Sequence, residues 1–143
     1  MTALNRISDT DYRSLAEFRY QIRRFLHFSE QVARTAGIEP QQHQLLLALR
    51  GQPGGQAAIG VLAERLQIQH HSAVELVDRL VDRGLVSRSR SSADRRQVLV
   101  HLTAYGEGEL EKLAKSHLDE LRNNGPALVK TLEAVIRRND GTH

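Results

Sequence analysis

Arginine is the residue type best placed to do chemistry in this sequence of 143 residues. Five of them, Arg83, Arg88, Arg90, Arg95 and Arg96, stand against the single carboxylate of Asp94 in one short stretch, whereas the whole chain carries a net charge of only +3. A basic cluster on a near-neutral body suits a polyanionic partner met by one element, because each neutralised phosphate releases counterions. A solvated charged loop has the same composition, so charge alone leaves both readings open. The seven histidines form no H-x-x-x-H pair, and the adjacent His70 and His71 must point in different directions. Glu39 with His43, or His27 with a histidine from another helix, are the remaining ways to gather metal ligands, and no metal site is expected. Cysteine is absent, which removes disulfides, thiol redox sensing and thiolate ligation, and fits a reducing compartment. Gly51, Gly54 and Gly55 are followed by no Lys-Ser or Lys-Thr, and neither a nucleophile elbow nor a Ser-His or carboxylate motif is present. The expectation is a protein that is not an enzyme and needs no cofactor.

The elements that must position these arginines follow from apolar spacing. With 40% hydrophobic and 26% charged residues the chain reads as one globular domain over 1–143. Its longest apolar run, Leu45 to Leu49, falls far short of the roughly 20 residues of a membrane span, and the N-terminus lacks a signal-peptide core, so a cytoplasmic protein without membrane contact is expected. Leu15, Phe18, Ile22, Phe25, Ser29, Val32 and Ala36 recur at alternating spacings of three and four, which predicts a long helix over 10–36. Leu26 and Ala33 widen its coiled-coil-like seam, which suits either the protein's own core or a partner helix. Pro40 opens a second helix to about Leu49, ended by the glycine-rich loop 51–55. Ile59–Leu66 and a helix from His70, with Ala73, Leu76, Val77 and Leu80 inward, are joined by Gln67-Ile68-Gln69. That is a helix-turn-helix pattern. Gly84 ends the second of these helices, and strands at Leu85–Arg90 and Gln97–Leu102 make a hairpin with a basic tip, a wing over 85–102. Thr103 caps a helix carrying Leu110, Leu113, Ala114, Leu118 and Leu121, and Pro126 opens a last helix with Leu128, Val129, Leu132, Val135 and Ile136.

At the level of motif the chain resembles the MarR family of bacterial transcriptional regulators. The likeness is carried by Val61-Leu62-Ala63-Glu64-Arg65-Leu66, by Leu76-Val77-Asp78-Arg79-Leu80 with Arg83-Gly84-Leu85-Val86, and by Asp94-Arg95-Arg96 running on to Leu102-Thr103 and Gly106. It is close from about Ile38 to Leu121. The resemblance implies a mainly α fold with a small β wing, a winged helix-turn-helix over 38–102 flanked by N- and C-terminal dimerisation helices at 10–36 and 103–138. It further implies a homodimer on a pseudo-palindromic operator of double-stranded DNA, with half-sites about 34 Å apart. Leu15, Phe18, Ile22, Leu118, Leu121, Leu128, Leu132, Val135 and Ile136 would form the dimer contact. Many relatives are repressors released by small molecules. A small apolar or aromatic ligand is therefore expected, with His27 and His117 as candidate lining residues and a packed, hydrogen-bonded histidine as the other role for either.

Gln69, His70, His71 and Ser72, at the start of the second helix of the motif, face away from its apolar stripe and can reach phosphates or base edges, and Arg79 adds a backbone contact. Val74 suits a thymine methyl, and Glu75 either accepts from a cytosine amino group or pairs with Arg79 four residues on. Glu75 departs from the neutral or basic residue usual in the family. In the wing the resemblance places Arg96 in the minor groove, steadied by Asp94, while Arg88, Arg90 and Arg95 can lie along phosphates. A narrow minor groove concentrates negative potential that draws in a guanidinium. Two other readings remain: a metal-responsive regulator, and a helical dimerisation module without DNA binding, which would have no need of a basic wing.

Overall fold

The computed structural model describes residues 6–137. In chain order the elements are α1 (Asp9–Thr35), α2 (Pro40–Arg50), a 3-10 turn at Pro53–Gly55, β1 (Gln56–Ala58), α3 (Ile59–Leu66), α4 (His70–Asp82), β2 (Val86–Arg90), β3 (Val98–Leu102) and α5 (Ala104–Ile136). They gather into two compact units, one of residues 32–115 and the other from the described parts of residues 1–31 and 116–143.

The first unit is built on one apolar cluster. Leu45, Leu46 and Leu49 of α2 meet Leu62 of α3, Leu76, Val77 and Leu80 of α4, and Leu85, Val86, Val100 and Leu110 beyond. Local chemistry sets the ends of these elements. Pro40 lies at the start of α2, where its missing N–H costs nothing, and Glu39 and Gln42 bond reciprocally across the first turn. The helix α4 stops at Gly84, whose φ of +75° lets its N–H bond the Val81 carbonyl while that of Leu85 bonds the Leu80 carbonyl. Next, the Thr103 hydroxyl donates to the Gly84 carbonyl at 2.6 Å and accepts the Gly106 N–H at 3.0 Å, capping α5 and tying it to the root of the wing. The approach is so close that a Cβ on Gly106 would lie 2.0 Å from the Leu85 carbonyl oxygen.

In two places the structure departs from the sequence expectations. A third strand, β1, pairs antiparallel with β3, giving the sheet order β1-β3-β2. Three residues are too few to display the alternation that marks a strand. The expected helix start at Pro126 is overturned as well, because α5 is a single helix of 33 residues with Pro126 inside it. A proline there forfeits a backbone bond and costs about 3 kcal/mol. The apolar spacing of Leu121, Leu128, Leu132 and Val135 nevertheless continues across it. The C-terminal segment expected to end at residue 138 thus holds one helix where two were foreseen, and residue 138 itself lies outside the described residues.

The second unit brings the first and last helices together. His117 sets its ring edge-on against Phe25 and Phe28, with centroids 5.9 and 5.6 Å away, and its Nε2 lies 2.8 Å from the buried Ser29 hydroxyl.

Candidate nucleic-acid interface

Between α3 and α4 the chain turns through Gln67, which takes up the left-handed conformation at φ +57° although it is not glycine. The Gln67 N–H bonds the Glu64 carbonyl, that of Ile68 bonds the Ala63 carbonyl, and the Gln67 side chain donates to the Glu64 carbonyl at 2.9 Å. This tight turn aims the start of α4 outward. Gln69, the residue before α4, makes no side-chain capping bond, and the first turn holds no acidic residue. The positive end of the helix dipole is therefore open to an anion. Gln69, His70, His71, Glu75 and Arg79 are exposed there, while Ser72 and Val74 are half-buried. The pairing of Glu75 with Arg79 considered above is not formed, since holding two exposed side chains together gains little. The ion pair of α4 runs instead from Asp78 to the Arg88 guanidinium on β2.

Buried Ser91 organises the wing tip. Its hydroxyl accepts the N–H groups of Ala93 and Asp94 at 3.1 and 3.3 Å, and its own N–H bonds the Gln97 carbonyl at 2.9 Å. Inside this turn the Asp94 carboxylate accepts the Arg96 N–H at 3.0 Å and lies 3.5 Å from the Arg96 Nε. The Arg96 side chain is 94% exposed. Arg90 donates to the Arg95 carbonyl at 3.0 Å and so bonds within the hairpin. Buried Gln42 accepts from Arg83 at 3.0 Å, joining the start of α2 to the end of α4. Sequence reasoning passed over Asp78, Ser91 and Gln42 as partners; only Ser91 lay in a stretch, Ser-Ser-Ala-Asp, whose turn chemistry was readable.

The residues expected at a dimer contact fall in the other compact unit. Leu15, Leu118, Leu121, Leu132 and Ile136 are exposed, and Phe18, Ile22, Leu128 and Val135 are half-buried. Of the two ligand-lining candidates, His117 is packed and hydrogen-bonded as described above. His27 is exposed, and the aromatic contacts of Phe25 and Phe28 go to His117. Among the described residues no group of three His, Cys, Asp or Glu converges as metal ligands would. The buried His43 sits with its Nδ1 3.4 Å from the Gln44 amide.

Two helices joined by a tight turn, followed by a hairpin with a basic tip that completes a three-stranded sheet with the preceding β1, define a winged helix-turn-helix protein. The MarR family model matches residues 36–97. AbsC, a MarR family transcriptional regulator from Streptomyces coelicolor, superposes with a TM-score of 0.76 at 20% identity, over 93% of each chain. The transcriptional repressor CouR, solved bound to a 23-mer DNA duplex, is 30% identical over 83% of this chain and 88% of its own, with a TM-score of 0.63. A protein of Thauera aromatica described as a candidate transcriptional regulatory protein for the hcr operon is 29% identical over 98 residues, and the match spans 68% of this chain and 58% of that relative's length. The chain belongs to the MarR family of transcriptional regulators.

Proposed function

We propose that this protein is a homodimeric transcriptional repressor, a single MarR-like domain per subunit, that binds a pseudo-palindromic operator in double-stranded DNA. The observation that carries the reading is the wing tip: an almost fully exposed Arg96 braced by Asp94, on the same compact unit as the uncapped, acid-free start of α4. Gln69, His70, His71 and Ser72 would enter a major groove with Val74 and Glu75 behind them. Arg79, Arg90 and Arg95 would lie toward phosphates, and Arg96 would enter the flanking minor groove. The duplex bound by CouR supports the same partner here. For the homodimer the support is the apolar surface of the unit that holds Leu15, Leu118, Leu121, Leu132 and Ile136, which a lone subunit would leave wet. Release by a small apolar or aromatic ligand completes the proposal, on the strength of family membership.

Footprinting of the purified protein on genomic fragments, beginning with its own promoter, tests the reading. Two related half-sites one helical turn apart are expected. Protection of a single asymmetric site would overturn the dimeric arrangement, and a protein indifferent to any duplex at low salt would overturn DNA binding. A panel of aromatic acids added to the bound complex tests relief, with loss of protection as the expected result.

A further inference from the structure

We propose that Asp78 and Arg88 form a latch that sets the wing against the recognition helix α4, which makes Arg88 a positioning residue and not a phosphate ligand. The inference rests on the DNA-binding reading given above. Strand parity is the first argument. Val86, Arg88 and Arg90 of β2 stand opposite Leu102, Val100 and Val98 of β3, on one face of the sheet, and Val86 and Val100 on that face are buried in the core with α4 residues. Arg88 therefore leaves the strand on the helix side. There its guanidinium meets the Asp78 carboxylate, and its side chain is only 35% exposed, against 94% for Arg96 at the tip.

The second argument is electrostatic. An unpaired carboxylate on the exposed side of a helix that approaches DNA would repel the phosphate backbone. Pairing with Arg88 neutralises that charge and converts it into a bond between two DNA-facing elements. The apolar contacts between α4 and β2, through Val77, Leu80 and Val86, carry no directional preference. A guanidinium fork on a carboxylate does, so the ion pair adds geometry to a contact that burial already stabilises.

Anisotropy titration of the full-length protein with the footprinted duplex, over a series of salt concentrations, separates the two roles of Arg88. Asp78→Asn and Arg88→Gln are each expected to weaken operator binding about three- to fivefold, the range of an exposed ion pair, with the salt slope unchanged. The loss in Asp78→Asn would occur although the variant removes a negative charge facing the duplex. Exchange of the two residues, Asp78→Arg with Arg88→Asp, should recover most of the affinity. The latch is overturned if Asp78→Asn binds as tightly as the parent or tighter, or if Arg88→Gln lowers the salt slope by about one unit, as loss of a phosphate contact would. A parent protein that binds no duplex at low salt removes the DNA-binding reading itself, and the latch with it.

Discussion

Arg88 and Arg96 are the same side chain on the same hairpin, and their surroundings differ: one is paired with Asp78 of α4, the other stands almost fully exposed beside Asp94. Arg96 stands in solvent at a turn whose backbone N–H groups are bonded by the Ser91 hydroxyl and the Asp94 carboxylate, with the carboxylate 3.5 Å from its Nε. Removing it in Arg96→Ala should cost about 1–3 kcal/mol of operator affinity, read by anisotropy at fixed salt. Unaltered affinity would refute the wing assignment. The contact of Asp94 with Arg96 was implied by the resemblance to the MarR family, and it closes between residues two apart, within one turn. Asp78 and Arg88 belong to different elements and meet only through the register of β2 against the core. No linear spacing announces that contact. The same holds for the Gln42 amide, which receives Arg83 from 41 residues away.

At the scale of elements, punctuation decided what could be read. Pro40 and Gly84 mark their helix ends by fixed backbone chemistry, and α2, α3 and α4 run close to the expected bounds. Gly106 belongs to the same class of signal: its hydrogen is the only substituent that fits beneath the Leu85 carbonyl. Gly106→Ala should therefore destabilise the protein by roughly 3 kcal/mol, since a backbone atom cannot yield as a side chain would. Urea unfolding followed by circular dichroism gives the number, and a midpoint equal to that of the parent would contradict the close approach. Pro126 is the signal that misled. It resembles a helix start, yet α5 continues through it, with the apolar spacing kept on both sides. Pro126→Ala should then stabilise the protein by up to about 3 kcal/mol, visible in the same unfolding experiment. Destabilisation would mean that the proline relieves something a straight helix cannot.

For the whole molecule, the seam along α1 was legible as a pattern and ambiguous as a contact, because spacing by threes and fours serves a core and a partner equally well. Along α1, Leu15 is exposed, Phe18, Ile22 and Phe25 are half-buried and Ser29 is buried, while Leu118, Leu121, Leu132 and Ile136 of α5 are exposed as well. Leu132→Glu places a charge in that surface and should give a monomer by sedimentation velocity, with operator binding lost; a stable dimer would exclude this face. Val98-Leu99-Val100-His101-Leu102, four apolar residues of which two are β-branched, with no Pro, Lys, Arg, Asp or Glu, is a stretch of the kind suited to templated self-assembly. In the folded chain it is the middle strand, shielded by the arginine-bearing β2 on one side and by three-residue β1 on the other. Ala57, paired with Val100, is the keystone of the short side. Ala57→Pro, which deletes a donor there, should turn a clear solution into one that scatters light and binds thioflavin on mild heating, marking β1 as a guard against fibre growth.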